Sequence, residues 1–220
     1  MSDEKAFRKT GVGAVATKTS DTAVDTADTN FMMLEPREQL RRLIAKEMTG
    51  KAFCEMAAVT FDHRGASIMG HILLDTLEEQ GYSIDDFDAV GALTAAAVPL
   101  VCSMIQAAAS RGENLDGFVM DFVYPSIKGP SIAGKRVILL DSWLSEKSYV
   151  QTSSLVTLRN GNELSLDFSI VEHEGATVVA IASLIGGVDM TEPTIKVVNP
   201  VNGEEHELPF VEIYHESELR

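Results

Sequence analysis

The stretch from Arg136 to Ser148 joins a buried-strand pattern to side chains suited to holding a polar ligand. Val137, Ile138, Leu139 and Leu140 follow the basic pair Lys135-Arg136 and run into Asp141. An unbroken apolar run of this kind reads as a central parallel strand, and such strands deliver side chains at their carboxyl ends to the ligand crevice of an open α/β sheet. Asp141 could hold a sugar hydroxyl or a magnesium ion, or simply cap the next turn. Ser142, Ser145 and Ser148 offer hydroxyl donors, and Lys147 offers an ammonium group that can meet an anion. Trp143, the single tryptophan, falls at the crevice mouth. There it can stack on a base, plug an empty site or pack at a dimer interface.

A second candidate position is the small-residue run Thr94-Ala95-Ala96-Ala97, between the strand pattern Asp88–Leu93 and a helix opening near Pro99. Unsatisfied N–H groups at a helix start point outward, and small residues let an anion approach them. No glycine supports this reading, and a plain tight turn between strand and helix explains the same residues. His63 and Arg64 are read as orienting the start of a helix. His173, His206 and His215 are scattered among glutamates without metal-ligand spacing.

The elements that must position these groups follow from periodicity. A helix opens at Pro36, places Leu40, Leu43, Ile44 and Met48 on one face, and ends before Gly50. A second runs from Arg64 to about Gln80 with Ile68, Met69, Ile72, Leu73 and Leu77 at helical spacing; Gly81 terminates it, and Asp62 or Asp85 can serve as a cap. Gly117–Val123 and Arg136–Asp141 read as further strands separated by a loop over Tyr124–Pro130. Strand, helix, strand, loop, strand implies a parallel sheet with right-handed crossovers. Leu155–Arg159, the turn Asn160-Gly161-Asn162 and Leu164–Val171 read as a hairpin. A strand over Thr177–Leu184 and a pair, Thr194–Val198 with Phe210–Tyr214, complete the pattern.

Composition bounds the function. The chain has 220 residues and a net charge of −15, and no segment clusters the Lys and Arg that a nucleic-acid groove requires. No apolar run reaches the roughly 20 residues of a membrane span, and no signal-peptide pattern opens the chain. Cys54 and Cys102 lie in apolar surroundings and are expected to be buried free thiols, which suits a reducing cytoplasm. Residues 1–33 read as a mobile tail, poor in apolar periodicity, and residues 34–220 as one domain.

Several segments carry a family resemblance. Asp62-His63-Arg64-Gly65-Ala66-Ser67-Ile68-Met69-Gly70, then Ala89–Thr94 with Pro99, then Leu115–Val119 and Ile132–Asp141, resemble the orotate phosphoribosyltransferases, especially those of actinobacteria, in order and spacing. The resemblance covers roughly Asp62 to Asp141, a little over a third of the chain. It implies the type I phosphoribosyltransferase fold, an α/β domain with a central parallel sheet, here with a β-rich C-terminal region. It also implies a homodimer, with magnesium and phosphoribosyl pyrophosphate used to convert orotate to orotidine monophosphate.

The same resemblance implies site positions that this chain fills differently. An Arg-Lys pair is implied where Asp121-Phe122 stands. A loop bearing lysines and a His-Gly pair is implied between Val123 and Gly134, where only Lys128 and no histidine occurs. Removing donors that face charge developing in a transition state typically costs several kcal/mol. A glycine-rich phosphate loop after two acidic residues is implied after Leu140. Here Asp141 alone keeps an acidic position, Glu146 adds negative charge, and Lys147 and Ser148 stand where glycines are implied. An orotate-contacting Ser-Gly-Lys and tyrosine segment implied before Asp62 is missing.

The expectation is therefore a non-catalytic phosphoribosyltransferase-like protein that has a binding, regulatory or auxiliary role. It is expected to form a homodimer or a mixed dimer with an active relative. Its ligand is expected to be a nucleotide or phosphorylated small molecule bound near Thr94, Ala95, Ala96, Ala97, Asp141, Ser142, Ser145, Lys147 and Ser148. No cofactor is expected, and magnesium only if the chain is active. Retained orotate phosphoribosyltransferase activity is the alternative, and a different small-molecule reaction around Thr94, Asp141 and Ser145 is a third.

Overall fold

The protein is described by a computed structural model covering residues 30–51, 54, 56–121, 124, 126–145, 157–159, 163–187 and 193–220. Leu34–Arg220 forms one compact unit. In the separate N-terminal unit only Asn30–Met33 are described, with a helical turn over Asn30–Met32; the rest of the expected tail, residues 1–29, lies outside the described residues.

Helix α1, Pro36–Met48, has proline in its first turn and buries Leu40, Ile44 and Met48. These recur every fourth residue, which keeps them on one face. A short helix α2, Ala57–Thr60, leads into α3, His63–Glu79. Asp62 caps α3 by accepting from the Arg64 amide at 2.9 Å, and its carboxylate also receives the Arg64 side chain. Gly81 ends the segment with a φ of +90°, a backbone state open to glycine.

Strand β1, Ala89–Ala92, is followed by a 3-10 turn at Ala95–Ala97 and helix α4, Val98–Ser110. Helices α3 and α4 pack closely, because a Cβ at Gly70 would overlap the Ser103 carbonyl. The Ser103 hydroxyl ties them, donating to the Ala66 carbonyl at 2.7 Å and accepting from the Gly70 amide at 2.9 Å. Strand β2 is Asp116–Asp121, β3 is Ser126–Lys128 and β4 is Arg136–Ser145. The region expected to be a loop between β2 and β4 thus contains β3, antiparallel to β2.

After β4 come β5, Thr157–Arg159, and β6, Glu163–Ser165, then a short helix α5, Ser169–His173. The expected hairpin is present, with Arg159 opposite Glu163, and its Asn160–Asn162 turn lies outside the described residues. Its second strand stops at Ser165 rather than continuing to Val171. Asp167 accepts from the Ser169 amide at 3.0 Å and from Asn199 at 3.1 Å, and this local turn competes with the ladder. Strands β7, Thr177–Gly187, β8, Thr194–Val198, and β9, Glu205–His215, close the domain.

The sheet order is β3-β2-β1-β4-β7-β9-β8-β6-β5. Its centre, β2-β1-β4-β7-β9, is parallel throughout. Strand β9 joins two parts: its first half pairs antiparallel with β8, and Phe210–His215 pair parallel with β7. One core packs α1, α3 and α4 against the sheet, and a second holds Leu139, Ile181 and Phe210 with Leu166, Val171 and Ile195.

Two expectations on burial are corrected. Cys102 is exposed and Cys54 half-buried, although both are free; a helix face that reads as apolar in one dimension turns Cys102 outward. Trp143 does not stand at a crevice mouth. It is 1% exposed and part of the larger core, because β4 stays paired with β7 past Asp141, through Trp143 opposite Ile185.

Candidate functional site

The parallel strands aim their carboxyl ends the same way and bring together residues distant in sequence. Asp121 ends β2, Thr94 follows β1, and Asp141 lies in β4, with Ser183 opposite it on β7 and Glu212 opposite Ser183 on β9. Residues paired across adjacent strands project to the same face, so Asp141, Ser183 and Glu212 form one cross-sheet row.

Thr94 and Asp141 meet directly. The Thr94 hydroxyl donates to Asp141 Oδ1 at 2.9 Å, and the Ser142 amide donates to the same oxygen at 2.6 Å. Asp141 is 6% exposed and Ser142 3%, so both lie inside the ladder rather than in an open loop. Ser145 ends β4 opposite Gly187. Lys147 and Ser148 lie outside the described residues. In the turn after Thr94, Ala95 is exposed, Ala96 half-buried and Ala97 buried. The Ala97 amide donates to the Thr94 carbonyl at 3.1 Å. That N–H is spent within the turn instead of facing an anion.

At the end of β2, Asp121 Oδ1 accepts from the Tyr124 amide at 3.1 Å, and Oδ2 lies 3.8 Å from Lys128 Nζ on β3. The β2–β3 pairing sets Asp121 opposite Ser126 and brings this lysine back over the strand end. Arg64 holds the Asp62 carboxyl well below the usual carboxylate range, while the His63 side chain is exposed beside it. His173 ends α5, His206 packs against Phe168 with the rings tilted and their centroids 5.0 Å apart, and His215 contacts Ser217.

Ser183 and Glu212 were not foreseen. Ser183 donates to the Ile185 carbonyl at 2.8 Å. Glu212 is pushed up to about 7, chiefly by burial and further by the Glu218 carboxylate. No local signal marked it, since an acidic residue alternating with the inward Val211 and Ile213 reads as facing solvent, and only the β9–β7 register sets it beside Gly186. As for magnesium, no three His, Cys, Asp or Glu side chains gather into a metal-holding group among the described residues. Asp141 Oδ1 already accepts two donors within the protein, which leaves that oxygen less available to a cation, and no step is routed through magnesium.

The parallel centre with α4 crossing from β1 to β2 defines the class as a type I phosphoribosyltransferase fold. Solved structures agree. Orotate phosphoribosyltransferase of Mycobacterium tuberculosis in complex with inorganic phosphate aligns with a TM-score of 0.57 at 17% identity, over 86% of this chain and 94% of that one. A phosphoribosyltransferase from Corynebacterium diphtheriae aligns at 0.55 and 17%, over 84% and 99%.

Within that class the chain is similar in sequence to orotate phosphoribosyltransferases. The orotate phosphoribosyltransferases of Streptomyces coelicolor and Streptomyces avermitilis are each 30% identical to it over 139 residues, 60% of this chain and 66% of theirs. The chain thus matches just under two thirds of the length of these relatives. No protein-family model matches it.

Proposed function

We propose that this chain is a non-catalytic orotate phosphoribosyltransferase-like protein that keeps the scaffold as a binding, regulatory or auxiliary subunit. The observation that carries the reading is the Asp121–Lys128 pair. Where the resemblance implies two cations for pyrophosphate, the strand ends in a carboxylate, and the single lysine between Val123 and Gly134 is turned onto it. A cation engaged by a carboxylate is a weaker counter-charge for an incoming polyphosphate. The Thr94–Asp141 bond and the continuation of β4 to Ser145 support the same reading, because both engage groups that a ribose phosphate would otherwise meet.

The ligand in this reading is a nucleotide or phosphorylated small molecule held near Thr94–Ala97, Asp141, Ser142, Ser145, Lys147 and Ser148. The assembly is a homodimer, or a mixed dimer with a related subunit, in the cytoplasm. The free cysteines suit a reducing compartment, and no described helix is long and apolar enough to cross a membrane.

Retained activity is the second reading, favoured by 30% identity to proteins named orotate phosphoribosyltransferase. Calorimetric titration of phosphoribosyl pyrophosphate with magnesium, paired with an orotate turnover assay on the same sample, separates the two. Binding without turnover supports the sensor or auxiliary role. Formation of orotidine monophosphate above a buffer control overturns it.

A further inference from the structure

Glu212 leaves β9 on the face shared with Ser183 and Asp141, while its neighbours Val211 and Ile213 enter the core that contains α3. Its Oε2 atom is buried and has no hydrogen-bond partner. The carboxyl fills the space that a Cβ at Gly186 on β7 would occupy, so glycine at that position is what admits it.

The charged and titratable groups around it offer little relief. Strand β7 presents Ser183 and Gly186, neither of them charged, and β4 beyond it presents Asp141. The 3-10 turn Glu216–Glu218 packs on β7 and contributes Glu218, which repels Glu212, and Glu216, which is paired with Arg220 at 3.0 Å. On β9 itself His215 is engaged by Ser217, and the Tyr214 hydroxyl donates to the Arg37 carbonyl. Among the described residues, Glu218 is the one charged group that shifts Glu212, and it acts against ionisation. Glu212 is half-buried as a residue, and a carboxyl with one oxygen buried and unpartnered is tolerated when neutral and disfavoured when charged.

We propose that Glu212 is a proton-controlled latch: neutral, it lets the end of β9 and the C-terminal turn lie against β7, and ionised, it loosens them. The turn is short and is held chiefly by two side chains of its own. Leu219 inserts into the larger core and Glu216 is 8% exposed, so loosening exposes a short, bounded segment. The sign follows from proton linkage. The folded carboxyl sits near 7 against an ordinary value of 4.5, so the docked form binds more protons than the loosened one across that interval. As far as Glu212 is concerned, docking is strongest at and below about pH 4.5, weakens as pH rises to about 7, and is constant above it.

Hydrogen exchange on the full chain at pH 5 and pH 8, corrected for intrinsic exchange rates, tests the latch. Amides of Val211–Leu219 are expected to lose about tenfold or more of their protection at pH 8, a change of roughly one pKa unit in docking, while β1 keeps its own. Glu212→Gln is expected to abolish the difference. Equal protection of the wild-type segment at both values, or a persisting difference in the Gln variant, overturns the proposal. Glu218→Gln alters only an exposed residue and tests the latch without disturbing the core. It is expected to lower the pH midpoint of loosening, and an unmoved midpoint also overturns the proposal.

Discussion

The Thr94 hydroxyl donates to Asp141 Oδ1 at 2.9 Å, joining the turn after β1 to the middle of β4. Forty-seven residues separate the two in sequence, and the parallel β1–β4 ladder brings them together. This bond fixes the candidate site and makes Asp141 part of the sheet's internal wiring.

Thr94→Val removes one donor from a carboxylate that is 6% exposed. The expected loss of stability is about 1–3 kcal/mol, the usual consequence of leaving a buried acceptor short of a donor. Thr94→Ser, which keeps the hydroxyl, is expected to retain most of it. Urea unfolding of the three proteins checks this.

Trp143 is 1% exposed, so its emission is expected to be blue-shifted and poorly quenched by iodide in the folded chain, moving to the red on unfolding. Trp143→Ala is expected to destabilise by about 3–5 kcal/mol, as for other large core truncations. A nucleotide that quenched this fluorescence by stacking on the indole would contradict the interior placement.

The pH dependence of stability has two limbs of opposite sign. Glu212, raised to about 7, is neutral in the fold at acidic pH, so stability falls as pH rises from about 4.5 to 7. Asp62 and Asp88 are lowered by Arg64 and Arg136 respectively, so their contribution is present above the ordinary aspartate value of 3.8 and is lost as pH falls below it. The urea midpoint is therefore expected to peak between about pH 4 and 5. In Glu212→Gln the upper limb is expected to flatten while the acid limb remains.

Asp121→Lys removes the partner of Lys128 and places a second cation at the end of β2. Pyrophosphate binding, measured by calorimetry, is expected to tighten by about tenfold, the effect of roughly one charge-assisted hydrogen bond. Unchanged affinity would show that charge at this strand end is not what limits the site.

The helices were legible because their signals are local. Pro36 opens α1, Asp62 caps α3 and Gly81 ends it, each within one or two residues of the expected boundary. The strands β1, β4 and β7 announced themselves as apolar runs, and the pair around Asn202-Gly203 appeared as β8 and β9. The resemblance to orotate phosphoribosyltransferases was carried by the same segments, Asp62–Gly70 and Ile132–Asp141.

Pairing at long range decided the rest. Nothing in Phe210–Tyr214 says that it leaves β8 to complete the parallel sheet on β7, and only that register sets Glu212 beside Gly186 and in line with Asp141. Likewise, an apolar pattern does not say whether the sequence after Asp141 turns out into solvent or stays in the ladder. The partners Ile185 and Gly186 on β7 hold Trp143 and Leu144 inside. Capping and periodicity depend on neighbours a few residues away, whereas burial and the environment of a carboxylate depend on chains that meet only when the sheet closes.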